Sequence, residues 1–222
     1  MPVLLCPSMM CAHFGNLDRE VAELEAAGID MFHLDVMDGR FVPNFGMGLQ
    51  DIEFITAHAQ KPADVHLMIE DPGNYVEKFA KLGIKVIYTH PEADYHPART
   101  LLKIADAGAA PGIAINPGTA VETVEPLLHL AQYVLVMTVN PGFAGQPYLS
   151  FVDEKIDRLV ELKARYGYRI VIDGACTAAV VERLAPRGVD GFVLGTKGLF
   201  GRGKPYAEVI AELRSLSGDR QG

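Results

Sequence analysis

Eight times in succession the chain passes from a short, β-branched apolar run to an amphipathic segment of helical period. Continuously apolar strands need cover on both faces, and amphipathic helices between parallel strands supply it. The runs fall at 3–7, 31–35, 63–68, 86–89, 112–115, 133–139, 169–173 and 191–194. Helices are expected over 16–27, 48–59, 71–83, 97–107, from 119 onward, and over 150–166, 177–184 and 205–216. Asp71-Pro72 reads as an N-cap with proline at the first helical position, and Thr119-Ala120-Val121-Glu122 as a capping box. No linker or low-complexity stretch interrupts the series. An open doubly wound sheet fits the same alternation, but eight even repeats favour an α/β protein of the closed (β/α)8 TIM barrel class, a single domain over 1–222.

Composition narrows function by exclusion. The formal net charge of -8 argues against a nucleic-acid surface. No apolar run reaches membrane-spanning length, and Met1-Pro2-Val3 leads into a strand without a signal-peptide pattern. Cys6, Cys11 and Cys176 form no CxxC pair, so a reducing cytoplasm is expected. An anionic metabolite remains open, because backbone N–H groups at helix starts can hold phosphate locally.

In such a barrel chemistry sits at the C-terminal ends of the strands. The second run ends in His33 and Asp35, two apart and therefore on one face. The third ends in His66 and the seventh in Asp173; the first ends near Ser8. Any one of these alone is an ordinary hydrogen-bonded residue. Two imidazoles and two carboxylates at one mouth suit a divalent ion such as Zn²⁺, Mn²⁺, Fe²⁺ or Co²⁺, with Mg²⁺ also open. Asp38 is odd-spaced from His33 and Asp35 and is expected to brace the turn at Gly39.

Glycine-rich turns follow the last three strands: Asn140-Pro141-Gly142-Phe143-Ala144-Gly145-Gln146, then Asp173-Gly174-Ala175, then Gly195-Thr196. Small residues let backbone amides approach an anion, and barrels often bind phosphate after strands seven and eight. A metal with two carboxylates at one end and a phosphate cradle at the other suits a small phosphorylated ketose. One Asp would take a proton from a carbon beside the ketone and the other would return one to the opposite face, while the metal polarises the ketone. Such an epimerisation needs no organic cofactor.

On these residues the chain resembles the ribulose-phosphate 3-epimerase family along nearly its whole length. The matching stretches are Pro7-Ser8-Met9-Met10, His33-Leu34-Asp35-Val36-Met37-Asp38-Gly39 with Phe41-Val42-Pro43-Asn44, Val65-His66-Leu67-Met68, residues 136–146, and Ile172-Asp173-Gly174. The resemblance implies that His33, Asp35, His66 and Asp173 bind the divalent metal and that Asp35 and Asp173 are the acid/base pair. It implies substrate contacts from Ser8, His66, Met37, Met68 and Met137, with Gly142, Phe143, Ala144, Gly145, Gly174, Ala175, Gly195 and Thr196 around the phosphate. It also implies a homo-oligomer.

The chain departs from the pentulose-phosphate pattern, which usually has Asp-Gly-Gly after strand seven and Gly-Ser after strand eight. Asp173-Gly174-Ala175-Cys176 is similar to the Asp-Gly-Ser-Cys of the allulose-6-phosphate 3-epimerase branch, as are Phe143-Ala144-Gly145-Gln146-Pro147 and Thr89-His90-Pro91-Glu92. D-allulose 6-phosphate is therefore the expected substrate, with D-ribulose 5-phosphate as the alternative. Related decarboxylase-type barrels carry a Lys within Asp-x-Lys-x-x-Asp, whereas Asp35-Val36-Met37-Asp38 has none. A non-catalytic sugar-phosphate-binding barrel is the remaining reading, and the intact four-residue set argues against it. Lys197 is expected at a solvated helix start and Cys176 as a small buried filler. His13, His58, His90, His96 and His129 show no partner in the sequence and receive no role.

Overall fold

The structure, a computed structural model, describes residues 2–218. The first residue and the last four of the expected 1–222 span lie outside the described residues. The strands are β1 (Leu4–Pro7), β2 (Phe32–Met37), β3 (Ala63–Met68), β4 (Val86–Thr89), β5 (Ala110–Ile115), β6 (Tyr133–Met137), β7 (Arg169–Asp173) and β8 (Gly191–Leu194). Between and after them run α1 (Leu17–Ala26), α2 (Leu49–His58), α3 (Val76–Lys81), α4 (Pro97–Asp106), α5 (Val121–Val124), α6 (Asp153–Tyr166), α7 (Ala178–Leu184) and α8 (Tyr206–Leu216). All strand pairings are parallel, in the order β1-β8-β7-β6-β5-β4-β3-β2. The seam between β1 and β2 is bridged by a Ser8–His33 pairing and by the Asp30 N–H donating to the Leu5 carbonyl at 3.1 Å. Eight parallel strands with alternating helices thus form the expected TIM barrel.

Side chains alternate across this ring. Leu5, Phe32, Leu34, Val65, Ile87, Ile170 and Ile172 face the helices, where they join the larger apolar core. Cys6, Val86, Tyr88, Leu135, Val171 and Val193 fill the barrel interior. The inward positions of β2, β3 and β7 near their ends are polar: His33, Asp35, Asp64, His66 and Asp173. Tyr88 occupies the interior beneath them, with its ring centroid 6.3 Å from that of His33. It fits because its partner on β5 is Gly112, where an added Cβ would meet Tyr88 Cδ1 at 2.4 Å. The lower barrel is therefore packed with side chains, and the chemistry is confined to one mouth.

Two helix starts differ from expectation. After Asp71-Pro72 the chain makes one tight turn, Pro72–Asn74, before α3 begins at Val76; Asp71 itself is left-handed, at φ 48°. The capping box at Thr119 is not formed. Ala120 occupies the N-cap of the four-residue α5, and the Thr119 hydroxyl instead donates to the Glu92 carboxylate. A stronger charged acceptor from the neighbouring loop has taken that hydroxyl.

Candidate active site and metal centre

Register decides which polar residues meet. In the β2–β3 ladder His33 pairs with Asp64, and Asp35 with His66. Asp173 ends β7, which is separated from β2 by β8 and β1. One ligand atom from each of His33, Asp35, His66 and Asp173 lies within 4.8 Å of the others. Asp35 Oδ1 stands 3.3 Å from both His33 Nε2 and His66 Nδ1. Asp173 Oδ2 stands 3.8 Å from His33 Nε2 and 3.5 Å from His66 Nδ1. The other oxygen of Asp35 accepts a hydrogen bond from Ser8 Oγ at 2.6 Å.

The residues fit a cation. His33 Nε2 is fully buried and makes no hydrogen bond, yet it is aimed at the point shared by the two carboxylates and the His66 Nδ1. A buried polar atom without a partner demands an explanation, and mixed N/O donors at this spacing supply one. The far nitrogen of each ring faces away from that point: His33 Nδ1 lies 2.6 Å from Asp64 Oδ1, and His66 Nε2 lies 2.8 Å from His90 Nε2. Outer partners of this kind orient metal-binding imidazoles.

Electrostatics follow from burial and company. Burial pushes the Asp35 carboxyl up, but His33 and then His66 outweigh it and hold the group well below the usual carboxylate range. Burial pushes both imidazoles down, but Asp64 and Asp35 lift His33 well above its ordinary value, and Asp173 and Asp35 lift His66. His90 behaves oppositely: burial, reinforced by the nearby His66, pushes it down to about 4. Burial favours a neutral Glu92, yet His90, the Thr119 hydroxyl and the Asn116 N–H bring it down to about 2.

Above the cluster opens a pocket of about 570 Å³. Ser8, Asp35, Met37, Met68, Met137 and Asp173 line its inner end, and Gly142, Phe143, Ala144, Gly145, Gly174, Ala175, Gly195 and Thr196 its outer end. His66, expected also to touch substrate, is fully buried and lies outside this lining; it meets the pocket only through Asp35 and Asp173. Met37 and Met68 pack with Val42 into a small apolar cluster at one wall. The loop after β2 is tied across the mouth by Asn44 Nδ2, which donates to the Gly142 carbonyl at 2.7 Å. Lys197, expected in solvent, is exposed but also lines the pocket, and its Nζ donates to the Gln146 carbonyl at 3.1 Å. Cys176 is buried, and its thiol donates to the Ile172 carbonyl at 3.4 Å. Asp38 braces its loop: its carboxylate accepts from the N–H groups of Arg40, Phe41 and Glu70.

The turn after β7 is conformationally demanding. Gly174 sits at φ +114°, and an added Cβ would lie 2.7 Å from Val139 Cγ2. Ala175 follows at φ 50°, a left-handed conformation that costs an alanine about 1 kcal/mol. Among the described residues the N–H groups of Ala175 and Gly195 donate to no backbone carbonyl, and both residues line the pocket. Relief of strain outweighs the extra unfolded-state entropy of glycine here, so Ala175→Gly is expected to stabilise the protein by about 0.5 kcal/mol. Urea unfolding of the two proteins checks this, and a loss of stability would count against the strained turn.

Sequence reasoning missed Asp64, His90 and Glu92. Asp64 was within reach, since it lies two residues before His66 on the same strand and must share its face. His90 meets His66 only once β4 is placed beside β3, and Glu92 meets Asn116 and Thr119 only once the loop after β5 is placed beside it.

A barrel whose mouth joins two carboxylates, two imidazoles and a glycine-lined pocket has the makings of a carbohydrate epimerase, and comparison with known proteins places the chain in that class of isomerase. Residues 4–200 match the model of the Ribulose-phosphate 3 epimerase family, and the chain belongs to that family. It is 38% identical over 220 residues to a ribulose-phosphate 3-epimerase of Rhodobacter capsulatus, covering 97% of this chain and 96% of the relative. It is also 38% identical to the ribulose-phosphate 3-epimerase of Aquifex aeolicus (strain VF5), covering 96% of each. Among solved structures, KGPDC from Streptococcus mutans superposes with a TM-score of 0.77 over 98% of each chain. At 12% identity that likeness concerns the fold alone. Among the described residues no helix is long and apolar enough to cross a membrane.

Proposed function

We propose that the protein epimerises a ketose phosphate at C3, with D-ribulose 5-phosphate and D-xylulose 5-phosphate as the interconverted pair. The observation that carries the reading is the approach of Asp35 and Asp173 to one pocket from strands that two others separate. A stereocentre inverts when a proton leaves one face and another arrives at the opposite face, and that requires two groups on different walls. The expectation of D-allulose 6-phosphate finds no support: the relatives at 35–40% identity are named as ribulose-phosphate epimerases. The departures that suggested it, Ala175 and Thr196, leave the backbone N–H groups of the turns in place.

In this reading His33, Asp35, His66 and Asp173 hold a divalent cation such as Zn, Mn, Fe, Co or Mg. When bound, such an ion supplies electrophilic polarisation of the substrate oxygens. The remaining work falls to the chain. Asp35, kept ionised by the two imidazoles and oriented by Ser8, takes the C3 proton of one epimer; Asp173 delivers a proton to the other face, and the roles exchange in the reverse direction. Met37, Met68 and Met137 exclude water from the reacting carbons. The turns at Gly142–Gly145, Gly174–Ala175 and Gly195–Thr196 hold the phosphate through N–H donors, and Lys197 adds a cation at the rim.

The substrate is tested by comparing kcat/KM for ribulose 5-phosphate and allulose 6-phosphate with the same cation. A preference of at least about tenfold for the five-carbon substrate is expected, since one extra hydroxymethylene must otherwise be housed between the carboxylate cluster and the glycine-rich turns. A preference for the six-carbon substrate overturns the assignment.

A further inference from the structure

Behind His66 a second line of polar groups runs away from the pocket. His66 and His90 are fully buried, with their Nε2 atoms 2.8 Å apart. His90 Nδ1 faces Glu92 Oε2 at 3.5 Å. The other oxygen of Glu92 accepts from the Asn116 N–H at 3.0 Å and from the Thr119 hydroxyl, both in the loop after β5. Phe41 covers the His90 ring, with centroids 4.8 Å apart. Neither His90 nor Glu92 lines the pocket.

Two ring nitrogens at 2.8 Å need one proton between them, because two lone pairs repel and two N–H groups collide. If neutral His90 supplies it, its Nδ1 is a bare lone pair against the Glu92 carboxylate. If His66 supplies it, His90 Nδ1 carries the hydrogen and lies 3.5 Å from that carboxylate, an electrostatic contact rather than a formed hydrogen bond. A hydrogen on His66 Nδ1 would face Asp35 and Asp173, but a cation at the point they share excludes it, and the Glu92 carboxylate favours the same, second arrangement. It leaves His66 Nδ1 without a hydrogen, and Nδ1 is the atom 3.3 Å from Asp35 Oδ1 and 3.5 Å from Asp173 Oδ2. The choice of nitrogen at His66 is thus made by a residue two side chains away.

We infer that His90 and Glu92 are positioning residues that hold the hydrogen of neutral His66 on Nε2, so that Nδ1 is the nitrogen that turns a lone pair to a divalent cation once its own proton has left. The inference rests on the cation site of the proposed function. It also explains why Glu92 is pinned from the loop after β5: a carboxylate free to swing would not hold the direction of the chain.

The test is Co²⁺ affinity of metal-stripped protein, read by competition with a chromophoric chelator and by the visible absorption of bound Co²⁺. Glu92→Gln keeps the shape but replaces the carboxylate with a neutral amide, and affinity is expected to fall about 10- to 100-fold. The thermal midpoint of the metal-stripped variant should stay within about 2 °C of the parent. His90→Leu should lose affinity similarly. In His90→Gln the amide oxygen takes the His66 Nε2–H without help from Glu92, so affinity should stay within about threefold of the parent. Adding Glu92→Gln to His90→Gln should then cost nothing more, an outcome a merely structural role for Glu92 would not give. Parental affinity in Glu92→Gln, or equal loss in His90→Gln and His90→Leu, overturns the inference alone. A parent protein that binds no Co²⁺ overturns the cation site and the inference with it.

Discussion

Asp173→Asn is expected to lower kcat for C3 epimerisation by about 10²- to 10⁴-fold, and Asp35→Asn by a similar factor, the range associated with loss of a positioned acid or base. The substitution is isosteric, and the neutral amide still offers an oxygen toward His33 and His66, so a weakened cation site can be offset by saturating cation. What cannot be restored is the proton on one face. The two variants should therefore differ in a way that total activity does not reveal. In deuterium oxide, Asp173→Asn should still wash out the C3 hydrogen of the epimer that Asp35 serves, while the other epimer accumulates barely at all. Asp35→Asn should show the converse preference. Proton NMR of the C3 signal follows both exchange and product. If both variants epimerise at the parental rate, the two-base scheme is wrong, whichever sugar is the substrate.

The same two residues mark how far the sequence can be read. His33, Asp35, His66 and Asp173 were legible because each ends a β-branched run and because barrels gather strand ends at one mouth. The eight-unit order was legible for the same reason: apolar strands buried on both faces leave few alternatives. The local signals failed where a neighbouring element offered a better partner. Thr119 had the spacing of a capping box, yet Glu92 from the loop after β4 claimed its hydroxyl. Asp71-Pro72 had the composition of a helix start, yet the chain needed an additional turn before α3. His90 and Glu92 stand in the sequence only within the branch motif Thr89-His90-Pro91-Glu92, which says nothing of their partners on strand β3 and in the loop after β5. The size of the sugar was equally hidden. Ala175 reads as a branch marker in the sequence, but in the fold it is first of all a strained left-handed residue that lines the pocket.

The apparent affinity for the divalent cation should fall as pH drops from about 7.5 to 5.5, by at most about tenfold per pH unit for each proton displaced. The sign follows from the imidazoles. In the metal-free protein burial works against protonation of His33 and His66, but Asp64, Asp35 and Asp173 overcome it and raise both groups above their ordinary value. A cation must displace those protons to reach His33 Nε2 and His66 Nδ1. Below the raised values each displaced proton costs about tenfold in affinity per pH unit. Stability carries the complementary sign. A histidine raised by folding contributes stability that is fully present below its unfolded value and is lost as pH rises through the folded one. These two residues therefore favour the metal-free fold at low pH, while cation binding favours the loaded fold at high pH. The gap in thermal midpoint between loaded and metal-stripped protein should widen steadily from pH 5.5 to 7.5, measured by calorimetry at fixed free cation. Chelation at pH 7.5 should abolish epimerisation, and added cation should restore it. A gap that stays constant across that window means that His33 and His66 release no proton to the ion, and the pH dependence argued from their raised values is wrong.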